Sequence, residues 1–249
     1  RNGGWAAEVG VSSFLGFGSL FPKEDMASNE AGSRANSGLS GAWPMQKFRQ
    51  AHAEYLQKAN TRSLAVVIGI GAFSPLHIGH MQMMYQARTR LDRAGYCTLA
   101  GWLSPTHDED AMFKNTGSRP KLRSSFRVRA LDAALRSDGL LSAASWASSQ
   151  AASPPPQEVV LALQLAVLQE LGKITLSEAG LKIFIVCGGD ERQKFRNLET
   201  KEMQGIVMIP QFGEDMLLEK PNSRVFVANP CPNKVSTISS TRVWEAIRS

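Results

Sequence analysis

The chain has 249 residues, 43% of them hydrophobic and 20% charged, enough apolar material for one or two packed domains and not a composition that stays disordered. Lys and Arg number 28 against 22 Asp and Glu, a net charge of +6. That balance suits anionic ligands such as nucleotides, nucleic acid or an acidic partner, or serves solubility alone.

The three cysteines, Cys97, Cys187 and Cys231, form no CxxC pair. Buried free thiols are expected rather than the disulfide framework of a secreted protein. The longest apolar candidate, Val159 to Leu168, contains Gln164 and is too short to span a bilayer. The chain begins at Arg1 with no secretory signal pattern, so a processed or partial chain is expected.

Residues 1 to about 45 are rich in Gly, Ser, Ala and Asn, with short apolar clusters such as Phe14-Leu15-Gly16-Phe17 and Leu20-Phe21. This reads as an extended low-complexity arm. Ordering such an arm costs about 1–2 kcal/mol per residue, so contact with a protein partner or a neighbouring subunit is expected. Met45 to Ala59 has helical character, and arm plus helix make a first region, 1–60.

The second region, 61–249, opens on Leu64-Ala65-Val66-Val67-Ile68-Gly69-Ile70, a continuous apolar run that predicts a fully buried strand. A helix follows from Gly79 to Arg93, then a strand from Tyr96 to Trp102. Ser104 to Lys121 reads as a loop and Leu122 to Leu135 as a helix. Ser148 to Pro156, with its consecutive prolines, reads as a surface loop before a helix from Gln157 to Leu171. Leu181 to Cys187, Gly205 to Ile209 and Arg224 to Ala228 are strands, and Thr237 to Arg248 is a turn and helix. This alternation predicts an α/β fold with a Rossmann-like doubly wound parallel sheet. Ligands then bind at the carboxyl ends of strands.

The sharpest stretch in such a place is Gly71-Ala72-Phe73-Ser74-Pro75-Leu76-His77-Ile78-Gly79-His80, directly after the first strand. Glycine there admits a phosphate close to the backbone, and the next helix offers free N–H groups and a positive dipole end. His77 and His80 share a face at that helix start, where two imidazoles can donate to phosphate oxygens. Other readings compete. Gly69-Ile70-Gly71 opens a GxGxxG whose third glycine position is Ser74. The His pair can begin a zinc site, but no neighbouring Cys or carboxylate completes it. Both rings can also be structural. Near the other end, Ile238-Ser239-Ser240-Thr241 reads as a helix cap or as a phosphate site.

The G-x-F-x-P-x-H-x-G-H loop and the I-S-S-T turn together resemble the HxGH nucleotidylyltransferase superfamily, whose members join a nucleotide to a phosphorylated partner. Trp102-Leu103-Ser104-Pro105 with Asp110-Ala111-Met112-Phe113-Lys114 resembles the "SP…DAYKK" loop of eukaryotic-type nicotinamide mononucleotide adenylyltransferases. Phe126-Arg127-Val128 resembles their "HRV", Ser145-Trp146 their "TWES" tryptophan, and Val186-Cys187-Gly188-Gly189-Asp190 their "LCGAD". The segments keep family order over residues 62 to 248 and leave out the arm.

The resemblance implies adenylyl transfer from ATP to nicotinamide mononucleotide, giving NAD and pyrophosphate. It implies that Gly71, Ala72 and Phe73 line the nucleotides, that His77 and His80 bind ATP phosphates, and that Lys114 adds a mobile positive charge. Gly188 and Asp190 meet a ribose, and Ile238, Ser239, Ser240, Thr241 and Arg242 meet the triphosphate. Trp146 stacks on the nicotinamide ring, with Arg127 also on the substrate. Mg²⁺ is held mainly by the ATP phosphates, without a protein metal site, and no direct contact with nucleic acid is implied.

The chain departs from the family pattern at defined places. Ser74 replaces an Asn, Gln211 stands where the family has an Arg, and Glu199 follows Asn197-Leu198 where relatives often carry a Trp. The arginine of the family's S-T-x-x-R is here Trp244, and Arg242 projects about 200° away around the helix. Relatives usually continue beyond the position of Ser249. Losing a phosphate-gripping arginine costs on the order of 3–5 kcal/mol of transition-state stabilisation. A second expectation follows: a catalytically impaired paralogue acting as an accessory or structural subunit of a larger, organellar assembly. The expected location is intracellular, in an organelle (mitochondrion or plastid) or the cytoplasm.

Overall fold

The apolar run after Arg62 forms β1 (Ser63–Gly71), buried from Leu64 to Gly69 without alternation, as a strand covered on both faces must be. The computed structural model describes residues 39–58, 60–113, 122–173, 175–189, 191, 195, 204–210 and 224–248. β1 is joined by β2 (Tyr96–Pro105), β3 (Leu141–Ala143), β4 (Leu181–Gly188), β5 (Gln204–Ile209) and β6 (Val225–Val227). All neighbours pair in parallel, in the order β3-β2-β1-β4-β5-β6. The sequence order of the strands therefore reverses between β1 and β4, the point where open α/β sheets form a binding crevice. The pairing of Leu64 with Leu181 through Gly69 with Val186 brings the ends of these two strands, Gly71 and Gly188, to the same edge.

The helices are α1 (Leu39–Ala42), α2 (Gln46–Gln57), α3 (Ile78–Arg93), α4 (Asp108–Phe113), α5 (Ser124–Leu135), α6 (Pro156–Leu171), α7 (Leu176–Ala179), α8 (Asn233–Ser236) and α9 (Ser240–Arg248). On one face of the sheet Trp43, Phe48, Leu163 and Val167 pack with Leu64, Val66 and Ile68. On the other face Met84, Leu91, Leu131 and Leu135 pack with Ala65 and Val67. Successive β1 residues thus feed opposite layers, as a strand's period of two requires. A register slip in β2 sets Ala65 opposite Thr98 but Val66 opposite Ala100, so both Leu99 and Ala100 enter the Trp43 layer.

The doubly wound sheet predicted from the alternation is present. The domain boundary shifts. Ala42, Trp43, Met45 and Phe48 are buried in the core, and the Trp102 indole N–H donates to Pro44 O at 3.0 Å. These residues belong to the same compact unit as the sheet, so the segment from Leu39 to α2 is part of the domain and not of the arm. The Gly/Ser composition around it concealed Trp43. The rest of the predicted arm, residues 1–38, lies outside the described residues.

The predicted loop from Ser104 also changes: its first residues extend β2, and α4 follows with Asp108, Glu109 and Asp110 in its first turn, where the helix dipole favours acids. The three-residue β3 is too short to show a period. Its start is held by Asp138 Oδ1, which accepts from the N–H groups of Leu140 and Leu141.

Candidate nucleotide site at the sheet switch point

β1 ends at Gly71, and the backbone turns through Phe73 at φ 46°, a left-handed conformation that costs a non-glycine residue energy and clusters at functional sites. The Phe73 ring is buried and meets the His80 ring edge-on, centroids 5.0 Å apart. The Ser74–Pro75 peptide is cis, and α3 then starts at Ile78 with His77 as its N-cap.

The two histidines are together. Their ring centroids lie 3.8 Å apart, the His77 N–H donates to His80 Nδ1 at 3.2 Å, and the His80 N–H donates to His77 O at 3.0 Å. Because His80 Nδ1 accepts, the neutral ring carries its proton on Nε2. Burial lowers the His77 pKa to about 4. Burial first, and the neighbouring His77 second, lower that of His80 to about 3. Both rings are neutral donors at neutral pH, beside the free N–H groups of the first turn of α3.

Gly79 makes this arrangement fit. A Cβ there would stand 2.9 Å from His77 Nδ1 and 3.0 Å from its Cε1. Gly79→Ala is therefore expected to push the His77 ring aside and reduce turnover by about tenfold, while this overpacking of a buried position costs about 1–3 kcal/mol of stability; steady-state kinetics beside a thermal melt check this.

The C-terminal segment docks on the same loop. Ser240 Oγ donates to Pro75 O at 3.1 Å, and Trp244 Nε1 donates to Ser74 O at 3.3 Å. Ser239 Oγ accepts from Arg242 N at 3.3 Å, capping α9. Ile238 N donates to Val235 O, and Val235 O lies 3.7 Å from the Cβ position of Gly79. The I-S-S-T turn therefore sits against the start of α3, with Thr241 half-buried. Arg242 is exposed, and its guanidinium folds back on Thr237 O at 2.8 Å.

Arg127 corrects an expectation. Its side chain is fully buried and donates to Leu122 O at 3.2 Å, Ala72 O at 2.7 Å, Thr106 O at 2.8 Å and Asp108 Oδ1 at 2.8 Å. It ties the loops leaving β1 and β2 to α5 and has no exposed face for a substrate. Trp146 follows β3, is half-buried and packs against the Trp43 layer. Its carbonyl accepts from Ser149 N, Ser149 Oγ and Gln150 Nε2. Gly188 ends β4. Lys114, Asp190, Gln211 and the stretch Asn197 to Glu199 lie outside the described residues.

These loops match a known family: residues 68–246 fit the cytidylyltransferase-like family. The chain belongs to that family. It is a nucleotidyltransferase by class. Two plant proteins are similar to it, each called nicotinamide/nicotinic acid mononucleotide adenylyltransferase. The rice protein is 25% identical over 211 residues, covering 77% of this chain and 80% of the relative. The Arabidopsis thaliana protein is 25% identical over 211 residues, covering 78% of this chain and 84% of the relative.

Within this cytidylyltransferase-like chain, His77 is joined by residues that the sequence reading gave no role in the site, and they stand out by a different signal. Ser74 Oγ, His77 Nδ1, Ser104 Oγ and Thr106 Oγ1 are buried without a hydrogen-bond partner. Ser74 and His77 belong to the loop leaving β1, Ser104 to the last residues of β2 and Thr106 to the loop that follows it. Buried polar atoms are almost always paired, so these groups are free to take polar partners at the carboxyl edge of β1 and β2. Ser74 was visible only as a departure and Ser104 only as part of a motif. Among the described residues no group of His, Cys, Asp and Glu could hold a metal ion, and no helix is long and apolar enough to cross a membrane. The donors gathered here are imidazoles, hydroxyls and amides, which suit phosphate oxygens.

Proposed function

We propose that the chain transfers the adenylyl group of ATP to nicotinamide mononucleotide, forming NAD and releasing pyrophosphate. A 5′-phosphate oxygen of the mononucleotide attacks the α-phosphorus of ATP. The bond from that phosphorus to the α,β-bridging oxygen breaks, and the electron pair leaves with pyrophosphate. No protein nucleophile is needed, so catalysis consists of positioning and neutralising charge.

The observation that carries this reading is the seating of Ser240 on Pro75 O, 3.1 Å away, which sets the I-S-S-T turn beside the His77–His80 pair at the switch point. His80 Nε2–H and the α3 N-terminus hold ATP phosphates, and Ser240 and Thr241 close the other side. Trp146 supports the ring of the acceptor, Asp190 takes a ribose hydroxyl, and Lys114 supplies a mobile charge. Mg²⁺, if carried in on the ATP phosphates, would supply charge neutralisation for the leaving pyrophosphate, with no ligand needed from the described side chains. The names of the two plant relatives support nicotinamide or nicotinic acid mononucleotide as acceptor.

The test is purified protein with ATP, Mg²⁺ and each mononucleotide, following dinucleotide and pyrophosphate. Both products are expected in equal amounts. No product, together with no ATP binding by calorimetry, removes the reading.

A further inference from the structure

A buried arginine inside a nucleotide-binding edge has an unusual cost. Its charge is expensive to desolvate and is retained only where partners surround it. Arg127 has four such partners, and they come from separate segments. Ala72 O leaves β1, Thr106 O leaves β2, Leu122 O precedes α5, and Asp108 Oδ1 begins α4. Asp108 also caps α5, accepting from Ser124 N at 2.6 Å and from Ser124 Oγ at 3.1 Å. Thr106 N donates to Gly71 O at 2.9 Å, closing the circuit back to β1.

The consequence lies in one peptide plane. The Ala72–Phe73 peptide is not cis, so the Ala72 carbonyl and the Phe73 N–H point in opposite directions. Arg127 holds that carbonyl toward α5, which packs over β3 and β2. The Phe73 N–H is thereby turned away from the Arg127 guanidinium, in the loop that leaves β1 at the point where the strand order reverses. Phe73 N has no hydrogen-bond partner among the described residues, and its left-handed φ keeps it from joining α3.

We propose that Arg127 is a positioning residue which, through Ala72 O, aims the Phe73 N–H at a phosphate oxygen of bound ATP. The inference rests on the ATP-binding reading above and deepens it. Arg127 itself does not touch the nucleotide. Its fork geometry matters more than its charge, because a lysine at this position reaches one carbonyl and cannot bridge Ala72 O and Thr106 O together.

The experiment is ATP and mononucleotide binding by calorimetry, with kinetics, in the full chain carrying Arg127→Lys. ATP affinity is expected to fall about tenfold, the worth of one hydrogen bond to a charged group, while the KM of the mononucleotide stays within about twofold. Ser124→Ala is the control. It loosens the same network at Asp108 without touching Ala72, and ATP affinity is expected to stay unchanged.

Equal ATP affinity in wild type and Arg127→Lys overturns the proposal, and so does an equal loss in both variants. Wild-type protein that binds no ATP overturns the underlying reading as well, so the two failures are distinct. Should Arg127→Lys not fold, ¹⁵N-labelled wild type decides. The Phe73 amide proton is expected to shift downfield on adding Mg-ATP, and an unmoved resonance overturns the aim assigned to it.

Discussion

His80→Ala is expected to lower kcat/KM for dinucleotide formation by about 10³. The ring sits where several restraints converge: Phe73 edge-on at 5.0 Å, His77 at 3.8 Å, and the His77 N–H on Nδ1. These leave Nε2–H as the donor, fixed before substrate arrives, so little reorganisation is needed when charge builds on the phosphates. A donor of that kind in a water-poor site is worth several times one exposed to solvent.

The folded protein is expected to survive the change, because His80 Nδ1 accepts a single N–H that the N-cap can return to water. A loss of less than about tenfold, with the melting temperature held, would show that the ring only braces the loop.

The same pair sets a pH dependence. Burial holds the folded pKa of His77 at about 4 and of His80 at about 3, below the ordinary 6.5. As pH falls below 6.5 the unfolded chain takes up protons first, so ligand-free stability drops progressively until the folded values are reached. Bound phosphates favour the charged rings and raise both values. ATP binding at mildly acidic pH is therefore expected to take up protons in wild type and fewer in His80→Ala. Calorimetry in buffers of different ionisation enthalpy reads the difference.

The local parts of the site were legible and the long-range parts were not. Gly71 to His80 carries its role in adjacent residues: a strand end with a close-approach glycine at Gly71, and two rings one helical turn apart. Arg127 carried the opposite lesson. On sequence it is an arginine in a family motif at the start of a helix, which suggests a ligand contact. Its partners Ala72 and Thr106 lie 55 and 21 positions away, and no local pattern reports that their carbonyls converge on it. Trp43 was hidden for a related reason. It is fully buried against Trp102, yet it sits in a segment whose Gly and Ser content resembles a linker. β3 escaped because three residues cannot display a period, and its pairing with β2 is a property of the sheet.

Trp244→Ala is expected to destabilise the docking of α9 by about 3–5 kcal/mol, the usual cost of deleting a buried aromatic side chain. The position drew notice because the family places an arginine there. The structure puts the indole to a different use. It is 8% exposed and donates to Ser74 O, whereas Arg242, Glu245, Ala246 and Ile247 of the same helix are exposed. One ring therefore anchors most of α9, and the Ser240 contact to Pro75 depends on that anchor.

Removing the ring should raise hydrogen exchange across α9 before the rest of the domain opens. ATP affinity should weaken in step, because the hydroxyls of Ser240 and Thr241 lose their place beside α3. Trp244→Phe separates the two contributions. It keeps most of the buried surface and gives up only the bond to Ser74 O, worth about 1 kcal/mol, so α9 should stay protected. If Trp244→Ala left α9 exchange and ATP affinity unchanged, the helix would be held by something other than this ring. The arginine's replacement would then have no structural purpose, whereas a large loss in Ala and a small one in Phe identifies it as a latch.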